Sequence, residues 1–181
     1  MPAASPTRTD RRWEEALDEH RVALAAFLDT AGRLGDEAWA RPWGPGKWTR
    51  AQVAEHLALS YEALLKEVRT GERMAPRLPR WKQNVLRWVL LPHILFHGTF
   101  PLRARSPREI RPGDAPGPRG PLLDRLRAAA ERFEAELGRA RRDGGGRVHS
   151  PYFGGVDAVR ALRFCAVHLE HHRRQIAPRG G

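Results

Sequence analysis

The chain has 181 residues, of which 41% are hydrophobic and 29% are charged, and this composition excludes an intrinsically disordered chain. The length suits one domain that buries its own core, and the single cysteine, Cys165, excludes an internal disulfide and fits the reducing cytosol. No stretch approaches the roughly 20 apolar residues of a membrane span, so none is expected.

The net charge of +11 needs its own explanation, because nucleic acids and anionic membranes both attract basic proteins. Only three of the 32 basic residues are lysine, a bias typical of GC-rich bacterial genomes. The arginines are spread along the predicted helices, and no nucleic-acid-binding motif accompanies them. We therefore interpret the charge as a solvated basic surface and do not expect a nucleic-acid partner.

The N-terminal segment, Met1–Asp10, lacks the apolar core of a secretion signal, so we expect a disordered leader on a cytoplasmic protein. Residues 11–177 are then expected to form a single domain. Helix one follows the leader, because apolar residues recur at alternating spacings of three and four as far as Gly35. They are Trp13, Leu17, His20, Leu24, Phe27, Ala31 and Leu34.

Helix two is predicted by its end signals, after a loop over residues 41–48 that contains two prolines and two glycines. Thr49 is an N-cap candidate, and Gln52 stands at the capping-box position three residues later. Apolar residues then follow on one face until Gly71, which is expected to end the helix.

An insert of about 72–120 separates helix two from helix three. Residues 79–97 predict an apolar helix that is kinked or ends before Pro92, and 98–121 predict a long surface connection without regular structure. The helix carries too much apolar surface to stay exposed, so we expect it to form a lid over the bundle or a homodimer contact. Its apolar residues are Trp81, Val85, Trp88, Val89, Leu91, Ile94, Leu95 and Phe96.

Two more helices complete the prediction, helix three over about 121–142 and helix four over about 155–176. Three consecutive glycines follow helix three, and Pro178 follows helix four. No segment alternates as a β-strand would. The predicted fold is an all-α four-helix bundle with a partly helical insert between helices two and three.

Histidines on the inward faces of these helices suggest a metal site. His168 and His172 lie one turn apart on the apolar side of helix four, the spacing of a bidentate metal clamp. Such a pair also occurs by chance, and a single buried histidine is more often a hydrogen-bonded core residue. His56 borders the apolar stripe of helix two, from which it could reach helix four. His171 projects toward the edge of the apolar arc and is the poorer candidate.

Two other histidines receive structural interpretations. His20 lies on the helix-one stripe and is expected to be a buried, hydrogen-bonded residue, with lining the pocket as its alternative role. His149, which precedes the fourth helix, is expected to anchor a loop. No general base is evident; Glu67 and Gln175 are better placed than Glu170, which points away from the histidine face.

Two motifs resemble the DinB-like (DinB/YfiT) superfamily. Residues 46–57, GKWTRAQVAEHL, resemble the opening of its second helix, where a Trp-Ser/Thr turn and a capping glutamine precede a histidine. Residues 149–154, HSPYFG, followed by 168–175, HLEHHRRQ, resemble the HPxFG and HxxxHxxQ motifs near the end of such proteins. Order and spacing agree over about residues 10–177.

The resemblance implies a DinB-like bundle and a three-histidine metal site formed by His56, His168 and His172. It also implies a divalent cofactor, with zinc expected first and nickel, iron or manganese as alternatives. Members of the superfamily include thiol-dependent transferases and isomerases, and proteins described as metal-dependent hydrolases. The insert at 72–120 departs from the shortest members, so substrate identity cannot be carried over.

Three functional hypotheses follow. The first is a metal-dependent enzyme that activates a small thiol, as an S-transferase, or water, as a hydrolase. The second is a metal-binding stress-response bundle without catalysis. The third and weakest is a basic module that binds nucleic acid or an anionic membrane.

Overall fold

Four long helices pack into a bundle in the computed structural model, which describes residues 7–101 and 106–178. The helices are α1 (Arg8–Gly32), α2 (Asp36–Ala40), α3 (Arg50–Thr70), α4 (Arg80–His97), α5 (Arg119–Arg142) and α6 (Ala158–Ile176). Helix α1 packs mainly on α6, and α3 packs mainly on α5. The predicted all-α bundle is confirmed.

The core lies between the four helices of the bundle, α1, α3, α5 and α6, each of which contributes fully buried side chains. Phe27 of α1, Leu57 of α3, Phe133 of α5 and Leu162 of α6 have no exposed surface. Because every helix presents one apolar stripe, burying all four stripes together requires a closed bundle. Helix α6 is therefore held on one side by α1, and its histidine-bearing side is directed toward α3.

Capping boxes begin two of the bundle helices. The Thr49 hydroxyl accepts from the Gln52 amide while the Gln52 side chain accepts from the Thr49 amide, which confirms the predicted start of α3. Thr7 and Asp10 make the same reciprocal pair at α1. Helix α1 therefore begins at Arg8, and the predicted leader is wrong for residues 8–10; its residues 1–6 lie outside the described part of the chain.

A small β-hairpin, which the sequence did not predict, precedes α6. Strands β1 (Arg147–Ser150) and β2 (Gly154–Asp157) pair antiparallel. The fourth bundle helix thus begins at Ala158 rather than near 155, because Asp157 caps it by accepting from the Arg160 amide. Four-residue strands are too short to show an alternating pattern, which explains the wrong prediction.

Helix α4 belongs to the insert and continues through Pro92 instead of ending before it. Proline removes one helical hydrogen bond, to the carbonyl of Trp88. Both residues lie on the exposed side of the helix, where water compensates the lost donor more easily than in the core. The opposite side packs on α6 and β2, with Leu91 and Ile94 buried.

The rest of the insert is less regular but not structureless. A 3-10 turn, Arg108–Ile110, interrupts the predicted surface connection and packs on α3, with Ile110 buried. A single three-residue turn leaves no periodicity in the sequence, so it could not be predicted. Across the described ranges, 7–101 and 106–178, no helix combines the length and apolar character that crossing a bilayer requires.

Candidate metal centre

Three histidines from two helices converge at one point inside the bundle. His56 comes from α3, and His168 and His172 come from α6, one turn apart. The Nε2 atom of His168 lies 3.3 Å from that of His56 and 3.0 Å from that of His172. One ligand atom from each ring lies within 4.8 Å of the other two, which makes this group able to hold a metal ion.

The second nitrogen of two of these rings is fixed by an oxygen. His56 Nδ1 lies 2.7 Å from the backbone carbonyl of Ile110, and His172 Nδ1 lies 2.8 Å from Gln175 Oε1. Both oxygens can only accept, so Nδ1 of each ring carries the proton and donates it. The Nε2 atom of a neutral ring with that tautomer has a lone pair and no hydrogen. Lone pairs of His56 and His172 are therefore directed toward His168.

Protons alone do not satisfy this arrangement. His168 can place at most one proton on its Nε2 atom and donate it to one neighbour, which leaves the other Nε2 atom without a donor. A divalent ion satisfies all three lone pairs at once. Two zinc–nitrogen bonds of about 2.05 Å at a tetrahedral angle separate their nitrogens by about 3.3 Å, close to the separations of 3.3 Å and 3.0 Å in the structure. The donor set and its spacing therefore fit a divalent ion.

Burial keeps the three rings in the form that binds metals. Removal from water lowers the pKa of His168 and His172 well below the ordinary value, and the neighbouring histidines lower it further. Burial also lowers the pKa of His56, against the hydrogen bond to Ile110. Neutral imidazole is the metal-binding form, so no proton has to be displaced at neutral pH.

Aromatic side chains surround the histidines. The Trp48 ring centroid lies 5.1 Å from that of His56, and the Phe164 ring stacks on His168 at 6.1 Å. Phe100, just beyond α4, lies 6.0 Å from His168 and 4.9 Å from His171. The insert thus contributes twice, through the Phe100 ring and through the Ile110 carbonyl.

The residues considered as general bases do not face the three Nε2 atoms. Glu67 is buried against the hairpin, where it accepts from the backbone and ring of His149. Glu170 pairs with two arginines on the outside of α6. Gln175 contacts the Nδ1 atom of His172, on the side of the ring opposite the three Nε2 atoms.

His20 and His149 were both predicted to have structural roles. The prediction holds for His20 and holds in part for His149. His20 is fully buried and bonded through both nitrogens, at 2.7 Å to Glu134 and 2.5 Å to Tyr61. His149 anchors the hairpin to α3 through Glu67, but from strand β1 and not from a loop. Neither ring reaches the three converging nitrogens.

A family comparison agrees with this geometry. The family model described as the DinB superfamily matches residues 8–176. The chain belongs to the DinB superfamily. Neither a curated protein nor a solved structure matches it. DinB membership and the histidine cluster together fit a metal-binding function.

Three residues that contact the histidines of this DinB site were not predicted from the sequence. They are Ile110, Trp48 and Phe100. A backbone carbonyl leaves no trace in residue type, so Ile110 could only be found from the fold. Trp48 did carry a signal, since it stands directly before the helix-two cap in the motif that identified the family. Phe100 lies in a segment without periodicity, where an isolated aromatic residue has no assigned direction.

Proposed function

We propose that the protein is a metal-dependent enzyme in which His56, His168 and His172 bind one divalent ion, and which activates a small thiol for S-transfer. The supporting observation is the convergence of three Nε2 lone pairs, two of them fixed by an oxygen on the opposite ring nitrogen. Zinc suits three imidazole nitrogens best, and nickel, iron and manganese are the alternatives.

Three protein ligands favour catalysis over a purely structural role, because structural zinc sites usually have four. When bound, the ion supplies Lewis acidity that lowers the pKa of a thiol or water molecule in an open position. Ile110 and Gln175 keep the rings of His56 and His172 oriented with Nε2 inward, so the site needs little rearrangement before binding.

A thiol is favoured over water because no carboxylate among the candidates faces the site. Attack by water gains from a general base, whereas a thiol has an intrinsically lower pKa and ionises more readily. The thiol has to come from a substrate. The chain's own Cys165 is buried, and burial raises the pKa of its thiol to about 12, so it remains protonated.

The aromatic walls supply the rest of the proposed pocket. Trp48, Phe100 and Phe164 lie against the histidine rings, where in this proposal they exclude water and contact the apolar part of an electrophile. In the proposed reaction the thiol sulfur bonds to an electrophilic carbon. The leaving group departs with the bonding electron pair, and the thiol proton passes to the solvent.

The test is turnover by metal-reconstituted protein with a small thiol, such as L-cysteine, and an aryl chloride. Thioether formation should require metal, disappear in His172→Ala and persist in Cys165→Ala. Ester hydrolysis without thiol would instead support the hydrolase. Metal binding without either activity would support the non-catalytic stress-response bundle.

Other parts of the proposal concern the chain as a whole. We propose that the chain from the start of α1 at Arg8 to residue 177 forms one domain, with the insert at 72–120 as part of it, and that the protein acts in the cytoplasm. A homodimer that forms through α4 is one possible role of that helix.

A further inference from the structure

Helix α4 presents an apolar stripe to the solvent. The stripe consists of Trp81, Val85, Trp88, Val89 and Phe96, whose exposed fractions are 65%, 54%, 65%, 68% and 85%. At about 100° per residue these side chains occupy an arc of roughly 100° on one side of the helix. This is a continuous surface along four turns, in contrast to the scattered apolar residues of an ordinary protein surface.

The opposite side of the helix fixes the direction of the stripe. Leu91, Ile94 and Gln83 are buried, and Gln83 donates to the backbone carbonyl of Pro151 beside the hairpin. Rotating α4 to cover the stripe would expose this second apolar face. Packing on α6 and the hairpin therefore accounts for one face of the helix, and the stripe is left for an external partner.

The sequence around the stripe carries cations and no acids. Between Glu72 and Glu109 there are eight arginine or lysine residues and neither aspartate nor glutamate. Lys82 and Arg87 lie over the rings of Trp81 and Trp88, with centroid distances of 5.2 Å and 5.8 Å, so positive charge borders the stripe directly. Within the described ranges neither cation has a carboxylate partner, and Arg87 donates to the neutral oxygens of Gly155 and Asn84.

We propose that α4 docks this stripe on an anionic lipid membrane. A helix that lies in the membrane interface has an apolar face with tryptophan and phenylalanine, which enters the boundary of the acyl chains. Flanking arginine and lysine side chains bind the anionic headgroups. Tryptophan prefers this depth because its ring is apolar and its indole N–H is polar. Helix α4 and its flanks combine these features on one exposed surface.

Charge complementarity selects this partner over two others. In a two-fold homodimer the same patch meets itself, so two acid-free, cationic segments would face each other without counter-charges. Nucleic acid would satisfy the cations and could stack on tryptophan, but it offers nothing to Val85 and Val89. An anionic bilayer satisfies both the cations and the aliphatic side chains.

The experiment is flotation of the full chain with lipid vesicles. One set contains two parts phosphatidylcholine to one part phosphatidylglycerol, and the other contains phosphatidylcholine alone. Val89→Glu places a charge in the stripe. Val22→Glu is the matched control, because Val22 is equally exposed, at 69%, but lies on α1. Circular dichroism and metal content confirm that each variant keeps its fold and site.

Wild type and Val22→Glu should float with the anionic vesicles only and be released by high salt. Val89→Glu should bind at least about tenfold more weakly. Removing the charges of Arg80 and Lys82 together should weaken binding by about fivefold for each charge. These results do not depend on the metal-site activity.

Several results would overturn the proposal. They are no flotation of the wild type, equal flotation with neutral lipid, and equal weakening by Val22→Glu and Val89→Glu. A dimer in light scattering that Val89→Glu dissociates would assign the stripe to a second copy. Equal affinity for duplex DNA, unaffected by Val89→Glu, would reduce the contact to nonspecific charge attraction.

Discussion

Two buried histidine clusters lie in the same bundle and differ in what their ring nitrogens meet. His20 places one nitrogen against the Glu134 carboxylate and the other against the Tyr61 hydroxyl. In the second cluster, Nε2 of His56 and Nε2 of His172 each meet, among residues 7–101 and 106–178, only the Nε2 atom of His168. Both clusters are polar groups in an apolar core, yet in the part of the chain that the structure describes only His20 has an oxygen partner at each ring nitrogen.

The difference separates a structural histidine from a candidate ligand. Burial alone does not do so, because His20 is fully buried and His172 nearly so. A carboxylate and a hydroxyl satisfy both nitrogens of a ring and stabilise the fold. A nitrogen lone pair directed at other lone pairs needs an added positive charge.

Metal content should distinguish the clusters completely. Purified without a histidine tag, the protein should hold about one divalent ion per chain by elemental analysis. His168→Ala and His172→Ala should abolish it, because each breaks the one-turn clamp on α6. His56→Ala should reduce it, since the clamp remains.

Two controls belong to that measurement. His171→Ala, adjacent in sequence but outside the convergence, and His20→Ala should both retain the metal. Unchanged metal in all three ligand variants would remove the proposed site, and loss in His20→Ala as complete as in His172→Ala would show that the ligand set is incomplete.

The structural cluster should instead respond in stability. Glu134→Ala removes the carboxylate that His20 and Arg21 share, and is expected to lower the free energy of unfolding by about 3–5 kcal/mol. The exposed Glu131, three residues earlier on α5, is the matched control, with an expected change within about 0.5 kcal/mol for Glu131→Ala. Urea unfolding measures both. Equal changes in the two variants would mean that the buried network adds no stability.

Substitution of Gln175 should show how much the hydrogen bond to His172 Nδ1 contributes to metal affinity. Gln175→Ala should weaken zinc affinity about 10–100-fold, because the ring of His172 loses the oxygen that fixes its tautomer. Gln175→Glu keeps an acceptor oxygen and should restore most of the affinity. Competition with a chromophoric chelator gives the values. An affinity that Gln175→Ala leaves unchanged would assign the orientation of the ring to packing alone.

The smallest effect concerns acid stability. Burial opposes ionisation of Glu134, but the hydrogen bonds and charges of His20 and Arg21 outweigh it and lower the pKa of the carboxyl below the ordinary value of 4.5. The unfolded chain therefore takes up this proton first as pH falls. The stability that ionised Glu134 contributes is complete above about pH 4.5 and is lost as pH falls through the lowered pKa.

Unfolding of wild type and Glu134→Gln, both freed of metal, should expose this difference. The gap between their unfolding free energies should stay constant near neutral pH and shrink in acid, by about 1.4 kcal/mol for each unit of pKa difference. A gap that does not change with pH would mean that the ionised form of Glu134 contributes nothing to folding.

The sequence predicted most of the fold because its signals are local. The Thr49 and Gln52 capping box and the apolar stripes act within one or two turns, so they specify helices before any tertiary contact exists. Signals fail where elements are short, as in the hairpin before Ala158 and the turn at Ile110. At Pro92 the local rule predicted a kink or a helix end, but the helix continues, because packing of the buried side of α4 outweighs one lost hydrogen bond.

For the site, the sequence supplied the candidates and the tertiary structure decided between them. Spacing put His168 and His172 on one face of a helix, and the family motifs added His56. The packing of α1, α3, α5 and α6 makes the three nitrogens converge. The same packing brings His20 to the carboxylate of Glu134, which is 114 residues away. Residue types record which atoms are available as donors and acceptors, and only the packing of distant segments determines which of them meet.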